Sequence, residues 1–489
     1  MAVEYGSSSA VAYGTTSVSV SLPSGVSAGD LLLVKIGGRP NTVVLESASG
    51  WGTGWIKVGD SAGNFGSDAT DSGPTVVGAL AKLATGTESG DLTLSFSSVN
   101  AVWAQVDRYT STTGEFSIEV FAGQDSSSGT GYSAVCQTGP TGPDALKVDD
   151  LVLAVATKPT DAGNGTAWSS HSFSSSGLTF SAATEIAEAW TTQGNDLGGV
   201  SWYSTVTAGT MAGTSVTVSA TLSSASYGPA IVVRLRDTLP TPISAYSFDE
   251  GSGTIAHDTA GHPDGPWDVT TVNATRWTSG HTGGGAEGGP SDPEGVGDEI
   301  WPGPTGVTVG PGDLAFRTVM FWARIDDLPS NGEFQMMWFA TASNGNSDGI
   351  ALTRTDGALQ VMSAWLPDDA APEYYVSETL VDFSTGWHHF AFVTIANDVV
   401  AMLLDGRIIG IEATSASSFG TESAIIASDL PGVMDDLRVF DYPVPPWDIA
   451  RFATIPVTAW GEYSPKYFLK GGTGLRPYVK TVDSLVELE

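Results

Sequence analysis

The segment Met434-Asp435-Asp436-Leu437-Arg438-Val439-Phe440 sets carboxylates inside an apolar alternation. Period two places Asp435 on the face of Leu437 and Val439. A carboxylate on an apolar face needs partners, because burying an unpaired charge is costly. Two solutions are open. Asp435 could join Asp258, from the turn His257-Asp258-Thr259-Ala260-Gly261, and backbone carbonyls around a structural Ca²⁺. It could instead accept backbone N–H bonds from a neighbouring loop. Asp258 also suits an ordinary Asx-type turn. Exposed aromatics beside acids would form a platform for a sugar ring. Trp301, after the Gly-rich stretch 280–299, and Trp365, near Asp368 and Asp369, are the candidates. With 15 tryptophans in the chain, core or loop anchoring competes with that role.

No catalytic constellation accompanies these residues. Glycoside hydrolysis needs two carboxyl groups flanking one bond, and no Glu-x-Asp-x-x-Glu strand occurs. Asp249-Glu250 lies in a Gly/Ser turn. His388-His389 follow Trp387 at a strand start, where alternation sends one ring inward and one outward. There is no His-Glu-x-x-His, no P-loop, and no Gly-x-Ser-x-Gly in a strand-to-helix context. Six histidines in all argue against a His-rich metal centre or triad. The one cysteine, Cys136, excludes an intrachain disulfide and reads as a small residue in or beside a strand. The expectation is a protein without enzymatic activity.

The elements that must position such residues are strands. In 489 residues there are 60 Gly and 26 Pro, which punctuate turns, while only 15% of residues are charged. That length, with 41% hydrophobic residues, allows two or three domains with sizeable cores. A net charge of −34 argues against nucleic acid and anionic bilayers as partners; its main role is solubility, and bound Ca²⁺ is a second use. The first residues lack a basic stretch and an apolar core, so no signal peptide is expected. No run of 18 apolar residues occurs, so no membrane insertion is expected.

Strand-like alternation recurs through residues 1–237, at 16–22, 30–36, 91–96, 102–109, 151–155, 215–219 and 230–235. The block repeats weakly on itself: Gly29-Asp30-Leu31-Leu32-Leu33-Val34 resembles Asp149-Asp150-Leu151-Val152-Leu153-Ala154. Three later strands in each half also correspond, 77–83, 90–95 and 103–108 matching 201–206, 213–218 and 230–235. Each half alone would leave a sheet face bare, so one jelly-roll-like sandwich built from both halves is predicted. The segments PSGVSAGDLLLVKIGGRP, SGWGTGWIKVGD, ALAKLATGTESGDLTLSFSS and AVWAQVDRYTS resemble the N-terminal β-sandwich of many bacteriophage tail and fibre proteins. No catalytic residues come with that resemblance.

Residues 238–242 form a Pro-containing linker. A second signature follows: ISAYSFDEGSGTIAHDTAGHPDG, LAFRTVMFWARIDDLP, GWHHFAFVTIAND, VVAMLLDGRIIGIE and GVMDDLRVFDYPVPPWDIARFA. This set resembles the laminin-G-like, concanavalin A-like jelly roll over residues 243–455. Asp405-Gly406 supplies the positive φ of a hairpin turn, and 446–452 reads as a short helix after the last strand. The family hosts lectins, adhesion modules and accessory domains of enzymes, so fold does not set activity. Residues 456–489 are richer in Lys, Arg and aromatics. Trp460, Tyr463, Tyr467, Phe468 and Tyr478 are costly to leave in water, which favours a docking tail over a solvated end.

The expected fold is therefore all-β, with two β-sandwich (jelly-roll) domains in tandem, residues 1–237 and 243–455, and a short extended C-terminal tail. The resemblances imply a phage virion protein, a minor tail protein or fibre that attaches to host-surface glycan. Its partners would be other tail or capsid subunits and copies of itself in a symmetric oligomer such as a trimer. It would be made in the host cytoplasm and reach the outside in the virion. A capsid decoration or head-fibre protein, the carbohydrate-binding portion of a cell-wall hydrolase, and a bacterial surface adhesin remain alternatives.

Overall fold

A computed structural model describes residues 2–453 apart from internal stretches, the longest being 138–144, 160–167, 261–267, 272–276, 288–299, 303–317, 342–346, 367–372, 414–422 and 427–431, and also describes 478–481 and 484–487. The chain is all-β, and its described residues hold one α-helix, Pro446–Phe452. It divides into two units: Met1–Pro240 with Pro445–Glu489, and Thr241–Val444.

The first unit is built on the repeat. In its first half the strands Val3–Ser8, Ala101–Ser111, Leu31–Arg39, Val76–Leu83 and Ile56–Ala62 lie side by side in that order. In its second half Ser117–Gln124, Pro229–Arg236, Leu151–Pro159, Leu197–Gly209 and Thr184–Thr191 repeat the order. The sandwich count differs from the sequence expectation. The first half closes its own sandwich: Val18, Leu92, Leu94 and Phe96 of a small three-stranded sheet pack on Leu32, Val34, Val102 and Val106. The second half closes another, because Cys136, Val216 and Val218 share a core with Val152, Ala154, Val200 and Trp202. A third core joins the two halves through Leu31, Leu33 and Trp103 of one and Leu153, Val155 and Val233 of the other.

The physical reason lies in the central strands. Leu31–Arg39 and Leu151–Pro159 are buried at every position. A strand covered on both faces has no solvent side to alternate with. At the seam Lys35 is fully buried, its ammonium 2.8 Å from Asp107 and donating to Gln105 at 2.7 Å and Ser201 at 2.8 Å. Burial lowers its pKa, against the opposing pull of Asp107.

The repeat extends to an ion pair. Asp30 accepts the Ser27 amide at 2.7 Å and Arg108 Nε at 2.6 Å. Asp150 accepts the Lys147 amide and both Arg236 Nε and Nη2, each at 2.7 Å. Removing one member of a buried pair leaves the other charge uncompensated. Asp150→Ala is expected to cost about 3 kcal/mol in chemical denaturation, and Asp30→Ala, whose pair is more exposed, less. Equal costs would contradict this ranking.

The sequence division also placed the 446–452 helix with the second sandwich; the structure assigns it to the first unit. Trp447 is 1% exposed and donates Nε1–H to the Phe116 carbonyl at 2.7 Å. Ser117 Oγ donates to the buried Asp448 at 2.8 Å and accepts from Arg234 at 3.0 Å, and Arg451 meets Glu115 at 2.9 Å. Chain adjacency suggested one home for the helix, and its side chains chose another. In the tail, Tyr478–Thr481 pairs with Ser484–Glu487. Trp460, Tyr463, Tyr467 and Phe468 lie outside the described residues, as does the Tyr478 side chain.

The second unit has two facing eight-stranded sheets. One centres on Gly432–Phe440, Thr318–Ile325 and Gly386–Ile395, the other on Phe334–Thr341, Ser347–Thr355 and Ala358–Leu366. Phe321, Ile350, Leu352, Phe390, Phe392 and Leu437 are in the core between them. Leu404 pairs with Arg407 across Asp405-Gly406, whose φ values of 48° and 68° are those the turn demands.

Candidate functional site

Along Thr318–Ile325, Val319, Phe321, Ala323 and Ile325 enter the core. Alternation therefore turns Met320, Trp322 and Arg324 to the other face of that sheet. Register sets Trp322 opposite His389 and Asp435, and Arg324 opposite Trp387. Directly opposed residues of antiparallel strands share a face, so these side chains gather in one patch.

Asp435 is on this patch, not on the face of Leu437 and Val439. Its strand shifts register between the partners Met320 and Trp322, with Asp436 at φ 52°. That bulge inserts one residue, so Met434, Leu437 and Val439 all enter the core while Asp435 points the other way. Asp435 is fully buried, and its Oδ1 accepts the Asp436 amide at 2.8 Å.

The hairpin joining Trp277–Ser279 to Gly284–Glu287 lays His281 over the patch. Its ring stacks on Trp322, with centroids 3.7 Å apart and planes at 9°, and meets Trp387 edge-on at 5.7 Å. His389 sits edge-on to Trp322 at 5.4 Å. The Arg324 guanidinium is 5.9 Å from the Trp387 ring centre, close enough for a cation–π contact. Arg438 Nη2 reaches Asp436 at 3.3 Å.

Burial sets the electrostatics. His389 is fully buried, and its pKa is pushed down to about 3 by desolvation first and by Arg438 second. Burial lowers His281 as well, against the pull of Asp436. Both rings are neutral at pH 7. Both nitrogens of His389, Nε1 of Trp322 and Nδ1 of His281 are buried with no hydrogen-bond partner among the described residues. Each such group costs about 1–3 kcal/mol until water or a ligand satisfies it. Beside them Trp387 is half-buried. An apolar ring surface with unmet donors and acceptors around it suits a ligand that has both apolar faces and hydroxyl groups.

The adjacent His388 faces the other way, as alternation requires. Its Nδ1 bonds Asp405 at 2.8 Å and its Nε2 bonds the Ser384 carbonyl at 2.9 Å. Burial lowers its pKa, but Asp405 and that carbonyl outweigh it and the net shift is upward. This ring clamps the Asp405 turn.

The remaining sequence candidates lie elsewhere. Asp258 Oδ1 accepts the amides of Ala245 at 2.9 Å and Ala260 at 3.0 Å, which is an Asx-turn role. Among the described residues no group of three or more His, Cys, Asp or Glu is placed to hold a metal ion. Trp301 and Trp365 are on strands of the other sheet, opposite Thr270 and Asp348 respectively, and their side chains are outside the described residues. Sequence reasoning missed His281, Trp322 and Trp387 as a group. The alternation in Phe321-Trp322-Ala323-Arg324 was a usable signal for an outer aromatic-basic face; His281, in an irregular Gly-rich hairpin, offered none.

No protein-family model matches the chain, and no curated protein does. Solved structures resemble part of it. Domain 4 of an extracellular GH43 arabinanase from Geobacillus stearothermophilus, solved with arabinotriose, is 18% identical, covers 44% of this chain and 100% of its own, and has a TM-score of 0.33. A SAP-like pentraxin from Limulus polyphemus is 13% identical over 29% of this chain and 74% of its own, with a TM-score of 0.22. The binding domain of botulinum neurotoxin serotype G is 10% identical over 43% of this chain, with a TM-score of 0.32, and the chain spans 50% of that domain. Such likenesses carry no functional argument for this chain; its β-sandwich architecture is read from its own strands and registers.

Proposed function

We propose that this chain is a non-catalytic structural and attachment protein of the phage tail or fibre type, and that its second unit binds a host-surface glycan through the Trp387 patch. The observation that carries the binding reading is the set of unpartnered buried polar atoms on His389, Trp322 and His281 beside a half-buried indole. Sugar rings present C–H faces to indoles and hydroxyl groups that both donate and accept. The virion reading rests on the sequence resemblance, with other virion subunits and copies of this chain as partners.

A glycan array with the full chain tests the binding reading. Trp387→Ala is expected to weaken binding to the glycans retained by the parent at least tenfold, about the size of one lost aromatic contact, without lowering the melting temperature of the second unit. Undiminished binding by this variant would remove the patch from consideration. Electron microscopy of particles with an antibody to this chain tests the virion reading, which fails if no particle is labelled.

A further inference from the structure

The first unit contains a second cluster with unmet polar groups. It lies at one end of the second half-sandwich, where the edge strands Trp168–Ser174 and Thr184–Thr191 approach each other. Glu185 is opposite Trp202 and Glu188 opposite Val200, with a register shift between Glu185 and Ala187. Three residues apart on a regular strand, the two acids would face opposite sides. The bulge brings both to the face of Trp202 and Val200, the core face of this sandwich. A second irregularity, between Ser169 and Ser172 with Ser170 at φ 55°, presents His171 from the facing strand.

The groups meet as follows. His171 Nδ1 is 3.7 Å from Glu185 Oε2, and its ring is 4.9 Å from that of Trp202. Glu188 Oε1 accepts the Trp168 amide at 2.6 Å. The fully buried Lys158 places its ammonium 5.8 Å from the Trp168 ring centre. The His171 side chain is 7% exposed, yet its Nε2 has no partner among the described residues. The same holds for the indole Nε1 atoms of Trp168 and Trp202. Burial raises the pKa of both glutamates and lowers that of His171.

We propose that this end of the second half-sandwich is a ligand site of its own, taking a neutral glycan between Glu185, Glu188 and His171. The orphaned indole N–H groups need acceptors, and the carboxylates need donors; hydroxyl groups supply both. An anionic ligand would meet two carboxylates. The inference concerns a different unit from the Trp387 patch and does not depend on it.

The test is an array of neutral oligosaccharides, followed by saturation-transfer NMR with those that bind, on four forms of the full chain. These are the parent, Trp387→Ala, Glu185→Gln/Glu188→Gln, and the three changes combined. The glutamine at 188 keeps an oxygen for the Trp168 amide, and Glu185 is exposed, so folding should survive, as near-ultraviolet circular dichroism would show. Expected is a subset of glycans retained by Trp387→Ala and weakened at least tenfold by the two glutamine changes. Retention of that subset by the combined variant, or no glycan retained by Trp387→Ala, overturns the inference. If Trp387→Ala changes nothing while the glutamine pair abolishes binding, the Trp387 patch fails and this site stands.

Discussion

Trp447→Ala will destabilise the first unit by about 3–5 kcal/mol, the range for emptying a large aromatic from a packed core. Trp447 sits in the same core as Leu151, Leu153 and Leu235, and its indole closes the Phe116 carbonyl. Alanine leaves a cavity and an unpaired carbonyl together. Trp447→Phe keeps most of the packing and loses the hydrogen bond, so its cost should be nearer 1 kcal/mol. The readout is the urea midpoint of the first unit, followed by a probe specific to it, because two units need not unfold in one transition. A shift for Trp447→Ala below that of Trp447→Phe would mean that the helix only rests on the strand at Ser117–Gln124. Asp448→Asn probes the polar half of the same contact, since it weakens the bond from Ser117, which also holds Arg234.

The second unit will lose stability on acidification, and His389 sets the slope. An unfolded histidine takes up a proton near pH 6.5. Folded His389 resists protonation until about pH 3, since burial and then Arg438 oppose the charge. Between those values the unfolded state binds a proton that the folded state does not. Stability present above about pH 6.5 is therefore lost as pH falls toward 3, by about 1.4 kcal/mol per pH unit. His388 has the opposite sign. Its raised pKa contributes stability that is fully present below about pH 6.5 and disappears as pH rises through the folded value, so its window lies above that of His389. His389→Gln, which cannot titrate, should flatten the decline between pH 6 and pH 4, whereas His388→Gln should leave that decline unchanged and remove the gain in stability seen as pH falls through the folded pKa of His388 toward 6.5. Denaturation of the three proteins from pH 8 to pH 4 checks both signs. Parallel curves for parent and His389→Gln would show that His389 is hydrated in the folded protein.

Much of the second unit could be read from local rules. Asp405-Gly406 is a hairpin turn because its neighbours alternate and its two residues tolerate positive φ. The short helix after the last strand was legible, with Pro446 at its start. The candidate patch was less so. Trp322, Trp387 and His389 are separated by up to 67 positions and meet through strand register. Asp435 was placed on the wrong face because alternation counts residues, and a bulge adds one that no residue in the segment announces. The glutamates at 185 and 188 share a face for the same reason.

By itself the sequence determined the all-β class, the strand-and-turn rhythm and the internal duplication, since each depends on near neighbours: alternation, turn residues and the recurring Asp before an apolar run at 31–34 and 151–154. Those runs, read as half-buried alternating strands, are covered on both faces in the structure. Which surfaces cover them was decided only in three dimensions. The first unit became two sandwiches sharing a seam, and the helix that follows the second unit in sequence packs into that seam's core. Burial on a second face, the side to which a bulged residue points, and the strand that a helix covers all depend on partners outside the segment itself, 331 positions away for Trp447 and Phe116.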